Sequence, residues 1–362
     1  MGPENGITSD YDIELKWKGE DDKTSTDSLK YSYALAGRDT TWSDFSSTTS
    51  VIYSDLEEDS SYTFKVQARD SDGEKSEVAE RYFMVHRGEI VFKRWSSEED
   101  QLWITNPDGS DIQSVPNTSR FNLGFYVYNP SWTSDKKILF SGFKDFYNLY
   151  KINQEGTELE QLTNNQDDSS GYLYPISSEN GNKIAWTDYH MGEEDQRYGN
   201  IWIMDGQNQK ALTNSTTEDS SYWARSWSSN EEILFQVYDK NNNEIENTSI
   251  GFMNTNGDIT HWVIENQNKN LVYRASDLSL DGKITGLISE FDYFNYDTFI
   301  GDIYGNFQNV TNSFNVTEDF SIFAPDGKSI AYASEKKLYI LGIENGRITI
   351  LSNIDLMFGD WR

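Results

Sequence analysis

A phrase returns along this chain about every 45 residues, and it constrains the fold more than any other feature. It stands as Pro130-Ser-Trp-Thr-Ser-Asp-Lys-Lys-Ile-Leu-Phe140 and again as Arg225-Ser-Trp-Ser-Ser-Asn-Glu-Glu-Ile-Leu-Phe235. Weaker copies are Asp277-Leu-Ser-Leu-Asp-Gly-Lys-Ile-Thr-Gly286 and Ile322-Phe-Ala-Pro-Asp-Gly-Lys-Ser-Ile-Ala-Tyr332. Self-similarity at this period means one supersecondary unit used repeatedly, each copy burying its apolar faces against the next.

Residues 88–362 divide into six such units. In the second, Lys137-Ile-Leu-Phe-Ser-Gly142, Asn148-Leu-Tyr-Lys-Ile152 and Leu159-Glu-Gln-Leu-Thr163 read as successive strands. Four strands per unit of this length is the pattern of a β-propeller blade. The stretch before each Trp-like anchor supplies the innermost strand. The first unit lacks that stretch, whereas Met357-Phe-Gly-Asp-Trp361 supplies it with no unit following. Residues 354–361 are therefore predicted to close the ring as the inner strand of blade one, pairing an edge that would otherwise be free. An Asp-Gly pair is predicted to turn the chain between the inner two strands, because glycine tolerates positive φ. Units two and four carry Asp135-Lys136 and Asn230-Glu231 there instead.

Asn200-Ile-Trp-Ile-Met-Asp-Gly206 with Ala211-Leu-Thr-Asn214, and Phe323-Ala-Pro-Asp-Gly-Lys-Ser-Ile-Ala-Tyr332, carry a resemblance to the six-bladed TolB-like propeller family. The resemblance implies the architecture. Related propellers act as protein-binding platforms, as gating domains of peptidases or as glycan-processing enzymes, and fold alone does not choose among these.

The first 87 residues have a different rhythm. Ile13-Glu-Leu-Lys-Trp17, Leu29-Lys-Tyr-Ser-Tyr-Ala-Leu35 and Tyr62-Thr-Phe-Lys-Val-Gln-Ala68 alternate with period two, as half-buried sandwich strands do. Trp17, Lys30-Tyr-Ser-Tyr-Ala-Leu-Ala-Gly37, Trp42-Ser43 and Tyr62-Thr-Phe-Lys-Val-Gln-Ala-Arg-Asp70 resemble a fibronectin type III-like domain of bacterial surface proteins. That resemblance implies a spacer or docking module, located outside the cytoplasm. It also implies that the first strand of the sandwich is missing. Trp17 and Tyr62 are predicted core residues. The expected chain is thus all-β, with a sandwich over 1–87 and a closed six-bladed propeller over 88–362.

Sixty acidic and 30 basic residues give a net charge of −30, which repels phosphate backbones and anionic lipid heads. Nucleic acid is excluded as a partner on that ground. No apolar run approaches the ~20 residues of a membrane span, so no membrane insertion is expected. The chain has no cysteine, which removes disulfides and thiolate metal sites. His86, His190 and His261 lack metal-ligand spacing. No nucleophile elbow, phosphate loop or calcium loop is present. No catalytic residue, metal or cofactor is predicted. Asp188, Glu193, Glu194 and Asp195 mark a long loop in blade three, read as a solvated acidic loop or a cation site.

Aromatic and basic residues gather just before the anchors. Tyr126, Tyr128 and Asn129 lie there in blade two, Tyr172 and Tyr174 in blade three, Tyr222, Trp223 and Arg225 in blade four, and Tyr273 and Arg274 in blade five. Inner strands converge on the central channel, so Tyr128, Asn129, Tyr174, Trp223, Arg225 and Arg274 are predicted to ring one mouth. Aromatic faces with a few fixed polar groups suit sugars or peptide side chains. The two arginines suit a carboxylate, unless acids such as Asp319 or Asp360 neutralise them. The expected function is a non-catalytic platform for a protein or glycan, as a monomer. The alternative is a glycan hydrolase or lyase with its site in the channel.

Overall fold

The computed structural model describes residues 7–8, 12–57, 60–85, 88–94, 101–107, 109–119, 126–191, 197–216, 220–240, 246–265, 271–290, 295–313, 317–335, 337–343, 346, 348–351 and 356–362. The chain forms two compact units, Met1–Arg87 and Gly88–Arg362.

The first unit pairs a four-stranded sheet with a two-stranded one. Ile13, Leu15, Leu35, Tyr62, Phe64 and Phe83 are buried between them. Tyr62 stacks on Phe83 with centroids 5.8 Å apart, and its hydroxyl accepts the Glu57 N–H at 2.9 Å. Trp17 packs against this core and sits 5.1 Å from Tyr33 and 5.4 Å from Phe64. At the edge where a first strand was expected to be missing, Ile7–Thr8 runs parallel to Met84 and Val85.

The second unit consists of six four-stranded antiparallel sheets. Their inner strands are Leu356–Trp361, Tyr126–Trp132, Ser170–Ser177, Ser221–Trp227, Leu271–Leu278 and Glu318–Phe323, in blades one to six. Each inner strand touches that of the next blade, and the sixth returns to the first, which closes a ring. The core lies between blades: Val91, Leu102 and Ile104 of blade one pack on Val127, Trp132 and Phe140 of blade two. Second strands are sandwiched between neighbouring blades and buried on both faces, so they read as unbroken apolar runs such as Ile138-Leu-Phe140. The outermost strand of blade three, Asn208–Ala211, is exposed along its whole length.

The C-terminal strand completes blade one, with Trp361 opposite Ile90 and Asp360 opposite Val91. Trp361 is 3% exposed within a cluster that includes Ile90, Phe320 and Ile322. The Glu89 and Arg362 backbones exchange hydrogen bonds of 2.7 and 3.1 Å.

The inner hairpins turn as predicted. Gly181, Gly282 and Gly327 have φ of 71°, 83° and 67°. Lys136 and Glu231 hold the same place in blades two and four with φ of 56° and 60°. The turn hydrogen bonds persist across this change of residue: Lys136 N–H donates to Thr133 O, and Gly282 N–H to Ser279 O.

Candidate functional site

All six inner strands carry a β-bulge. Register breaks between Tyr128 and Ser131, Leu173 and Ile176, Ala224 and Ser226, Ala275 and Asp277, Glu318 and Ser321, and Met357 and Gly359. A bulge inserts one residue, bends the strand and re-aims its side chains. Here the inserted stretch faces the channel, where Asn129, Tyr174, Arg225 and Asp319 are found. In blades two and three it places Asn129 and Tyr174 at φ 47° and 51°. Each precedes a proline, which disfavours the right-handed helical region. Positive φ is an outlier for a bulky residue such as Tyr174, and outliers of this kind cost about 1–3 kcal/mol.

The inner strands enclose a cavity of about 910 Å³. Toward the strand entrances it is lined by Asn129, Tyr174, Trp223, Arg225, Arg274 and Tyr296. Arg225 lies over the Tyr174 ring, its guanidinium carbon 5.3 Å from the centroid. Its Nη2 donates to Gln236 Oε1 at 3.1 Å and to the Tyr238 hydroxyl at 3.2 Å. Arg274 lies over Tyr296 at 4.5 Å. The Nε atoms of both arginines are buried without a hydrogen-bond partner, and among the described residues neither arginine forms a salt bridge. Asp319 and Asp360, the acids that the sequence offered as their partners, are therefore not ion-paired to them. Tyr174 feels both guanidiniums, yet burial dominates and raises its hydroxyl pKa.

Glu318 also lines this end, and its carboxylate is occupied. It accepts from the hydroxyls of Thr298, Thr311 and Ser313, and burial raises its pKa. Asp319 is open to the cavity, whose walls raise its pKa.

Further along the strands the lining turns acidic. Asp277 of blade five accepts the Ser226 hydroxyl of blade four at 2.9 Å and the Phe323 N–H of blade six at 2.9 Å. Asp360 of blade one accepts the Trp132 N–H of blade two at 2.7 Å. Burial raises the Asp277 pKa to about 6, the charge of Asp360 adds to the rise, and the hydrogen bonds oppose it.

Of the six predicted mouth residues, five line this cavity and Tyr128 does not. The bulge that begins after Tyr128 turns Asn129 toward the channel, while the Tyr128 ring packs on Tyr147 at 5.8 Å and beneath Lys93 at 4.1 Å. Tyr172 likewise packs away, 5.7 Å from Trp186. Sequence reasoning missed Asp277, Tyr189, Tyr238 and Tyr296 as lining residues. For Asp277 a signal existed, because an acid occupies the post-bulge position held by Ser131 and Ser226 in other blades.

Asp188 does not belong to the blade-three loop as expected: it lies within the second strand, Lys183–Met191, paired with Asn200 and buried, whereas Glu193, Glu194 and Asp195 lie outside the described residues, as does His86. His190 donates or accepts at 3.1 Å with Asp188, and that hydrogen bond raises its pKa. His261 lies in an outermost strand, with Nε2 2.6 Å from the Ile303 carbonyl. Among the described residues there is no group of three potential metal ligands.

Residues 22–85 match the Y_Y_Y domain family. The match falls within the sandwich unit, whose two small sheets fit the β-sandwich expected there. No curated protein matches the chain. Among solved structures, TolB from Acinetobacter baumannii is 17% identical, covering 83% of this chain and 79% of its own, with a TM-score of 0.57. A putative TolB from Agrobacterium tumefaciens is 13% identical over 75% of this chain and 89% of its own, with a TM-score of 0.50. Hydrazine synthase from Kuenenia stuttgartiensis is 13% identical over 72% of this chain and 44% of its own, with a TM-score of 0.56. Gly88–Arg362 is a TolB-like propeller by fold. A likeness that spans such different proteins leaves function to be argued from the site.

Proposed function

We propose that the propeller is a non-catalytic binding platform, part of an exported or cell-surface protein, and that it takes a protein or glycan ligand through a carboxylate held by Arg225 and Arg274. The supporting observation is the state of the two guanidiniums. Both lie on aromatic faces with buried, unpartnered Nε groups and no ion pair among the described residues. A buried donor left unmade costs about 1–3 kcal/mol, and a carboxylate repays that cost with charge-assisted hydrogen bonds. In a chain of net charge −30, an anion is held only where cations are concentrated locally. Trp223 and Tyr174, with centroids 5.4 Å apart, offer stacking surface beside them.

The test is a panel of uronate- and sialate-bearing glycans and peptides with free C-termini, screened against the wild type and the Arg225→Ala/Arg274→Ala variant. Binding lost in the variant, with its melting temperature within a few degrees of wild type, supports the reading. Unchanged binding places the site elsewhere, first on the blade-three loop.

One observation favours a second reading, glycan hydrolysis. Asp277, raised to about 6 by burial and by the charge of Asp360, is suited to act as a general acid. Release of reducing ends from the bound glycan, abolished in Asp277→Asn, would establish it.

A further inference from the structure

The cavity is polarised along its axis. Its entrance carries two guanidiniums, with Glu318, whose carboxylate is taken up by hydroxyls, and Asp319 beside them, and its far end carries Asp277 and Asp360. We infer that the channel reads both ends of a zwitterionic ligand, a short extended peptide whose carboxylate meets Arg225 and Arg274 and whose ammonium meets Asp277 and Asp360. This rests on the arginines being the anion site, and adds a cation site and a ligand class.

Asp277 comes three residues after Arg274, but the bulge between Ala275 and Asp277 takes up one of them: their partners Leu287 and Thr285 are two residues apart, which at about 3.3 Å per residue separates the two levels by roughly 7 Å. An extended peptide of two to three residues spans about that distance. Ala224, Ala275, Ser276 and Leu287 line the cavity with the charged groups and offer no charge of their own. The two aspartates stand on different blades, and each is fixed by backbone N–H donors, which leaves lone pairs over on both carboxylates. Their mutual repulsion is what a bound ammonium would relieve. Arg362 lines the cavity as well, but its backbone is tied to Glu89, and among the described residues it forms no ion pair with either aspartate. A wholly anionic ligand would satisfy the entrance and be repelled by the far end. A zwitterion satisfies both.

The experiment is calorimetric titration of the full chain with triglycine, N-acetyl-triglycine and triglycine amide. Triglycine is expected to bind, and capping either end should weaken it at least tenfold. In Asp277→Asn the acetylation penalty should fall below threefold while the amide penalty persists. In Arg225→Ala/Arg274→Ala the reverse should hold. Because the comparison between capped and free peptides is made first on the wild type, it stands even if an aspartate variant folds poorly. N-acetyl-triglycine binding as well as triglycine, with the amide weak, would overturn the cation site and leave the arginine site standing. Equal binding of all three peptides would overturn both sites. Binding of none would overturn the peptide assignment, and the carboxylate reading would then be judged on the glycan panel.

Discussion

The two units treat their terminal strands in opposite ways. In the N-terminal unit the first strand is two residues long and adds one parallel edge to a sheet that is already built. In the propeller the last strand is six residues long, sits innermost in its sheet and touches the inner strands on both sides. An edge added to a sandwich is local, whereas a ring has no dispensable member. Deleting residues 353–362 breaks this comparison most severely. It removes Trp361 from its cluster and leaves Ile90–Arg94 as the unpaired inner edge of blade one. Loss of one large buried aromatic costs about 3–5 kcal/mol, so the propeller transition should fall by ~10 °C or more in calorimetry. Deleting residues 1–8 should move the sandwich transition only slightly. A propeller transition within two degrees of the parent would show that closure is not what holds the ring.

The second test asks how tightly the ring positions its site. An added Cβ at Gly286 would lie 2.1 Å from the Arg274 carbonyl oxygen, across the register pair that joins the inner and second strands of blade five. Gly286→Ala is expected to push the Arg274 strand away at a cost of about 1–3 kcal/mol, the usual range for overpacking. It should also weaken ligand binding at the mouth, measured alongside the melting temperature. Gly73 in the sandwich has no neighbour within 4 Å of such a Cβ, although its φ of 93° strains any substitution. A Gly286 variant as stable as wild type would mean that the inner strands move freely.

A third test uses pH. Folding raises the Asp277 pKa from 3.8 to about 6, so the folded state binds more protons than the unfolded state. This contribution therefore lowers stability as pH rises from about 4 to 6, by an amount on the order of 1–3 kcal/mol. Asp277→Asn should flatten that part of the urea stability profile. A slope unchanged by the substitution would assign it to other acids, of which Glu318 and Asp319 are also raised by burial.

The architecture was legible because a repeated unit writes its pattern several times. Trp132, Trp227 and Trp361 hold matching places, so closure by the last strand could be read from one leftover anchor. The site was legible only where a residue type was unusual for its position, as with Arg225 and Arg274. Tyr128 shows the reason for the limit. Whether a side chain faces the channel or a neighbouring blade depends on where the bulge falls, and a one-residue insertion reverses the direction of every later side chain in the strand. Tyr189, Tyr238 and Tyr296 come from second strands and a loop, so no pattern in the inner strands could reveal them.

The smallest expected effect concerns the inner turns, where blades two and five place different residues in one conformation. Gly282 adopts φ 83° at no steric cost, and Lys136 adopts 56° against the preference of any residue with a Cβ. In both turns the same pair of backbone hydrogen bonds closes the loop, from Lys136 or Gly282 to the residue three before it and from Thr133 or Ser279 to the residue four after it. Geometry is therefore shared and only strain differs. Lys136→Gly should relieve that strain and raise stability by about 0.5–1 kcal/mol, less whatever the added freedom of glycine gives back to the unfolded chain. Gly282→Lys should lower it by a similar amount. Glu231 is a poorer test, because it also pairs with Lys183 at 2.5 Å and accepts from Asn180 at 2.8 Å. If urea midpoints show the two exchanges moving stability in the same direction, the turns are not equivalent, and the repeat is looser in blade two than its phrase suggests.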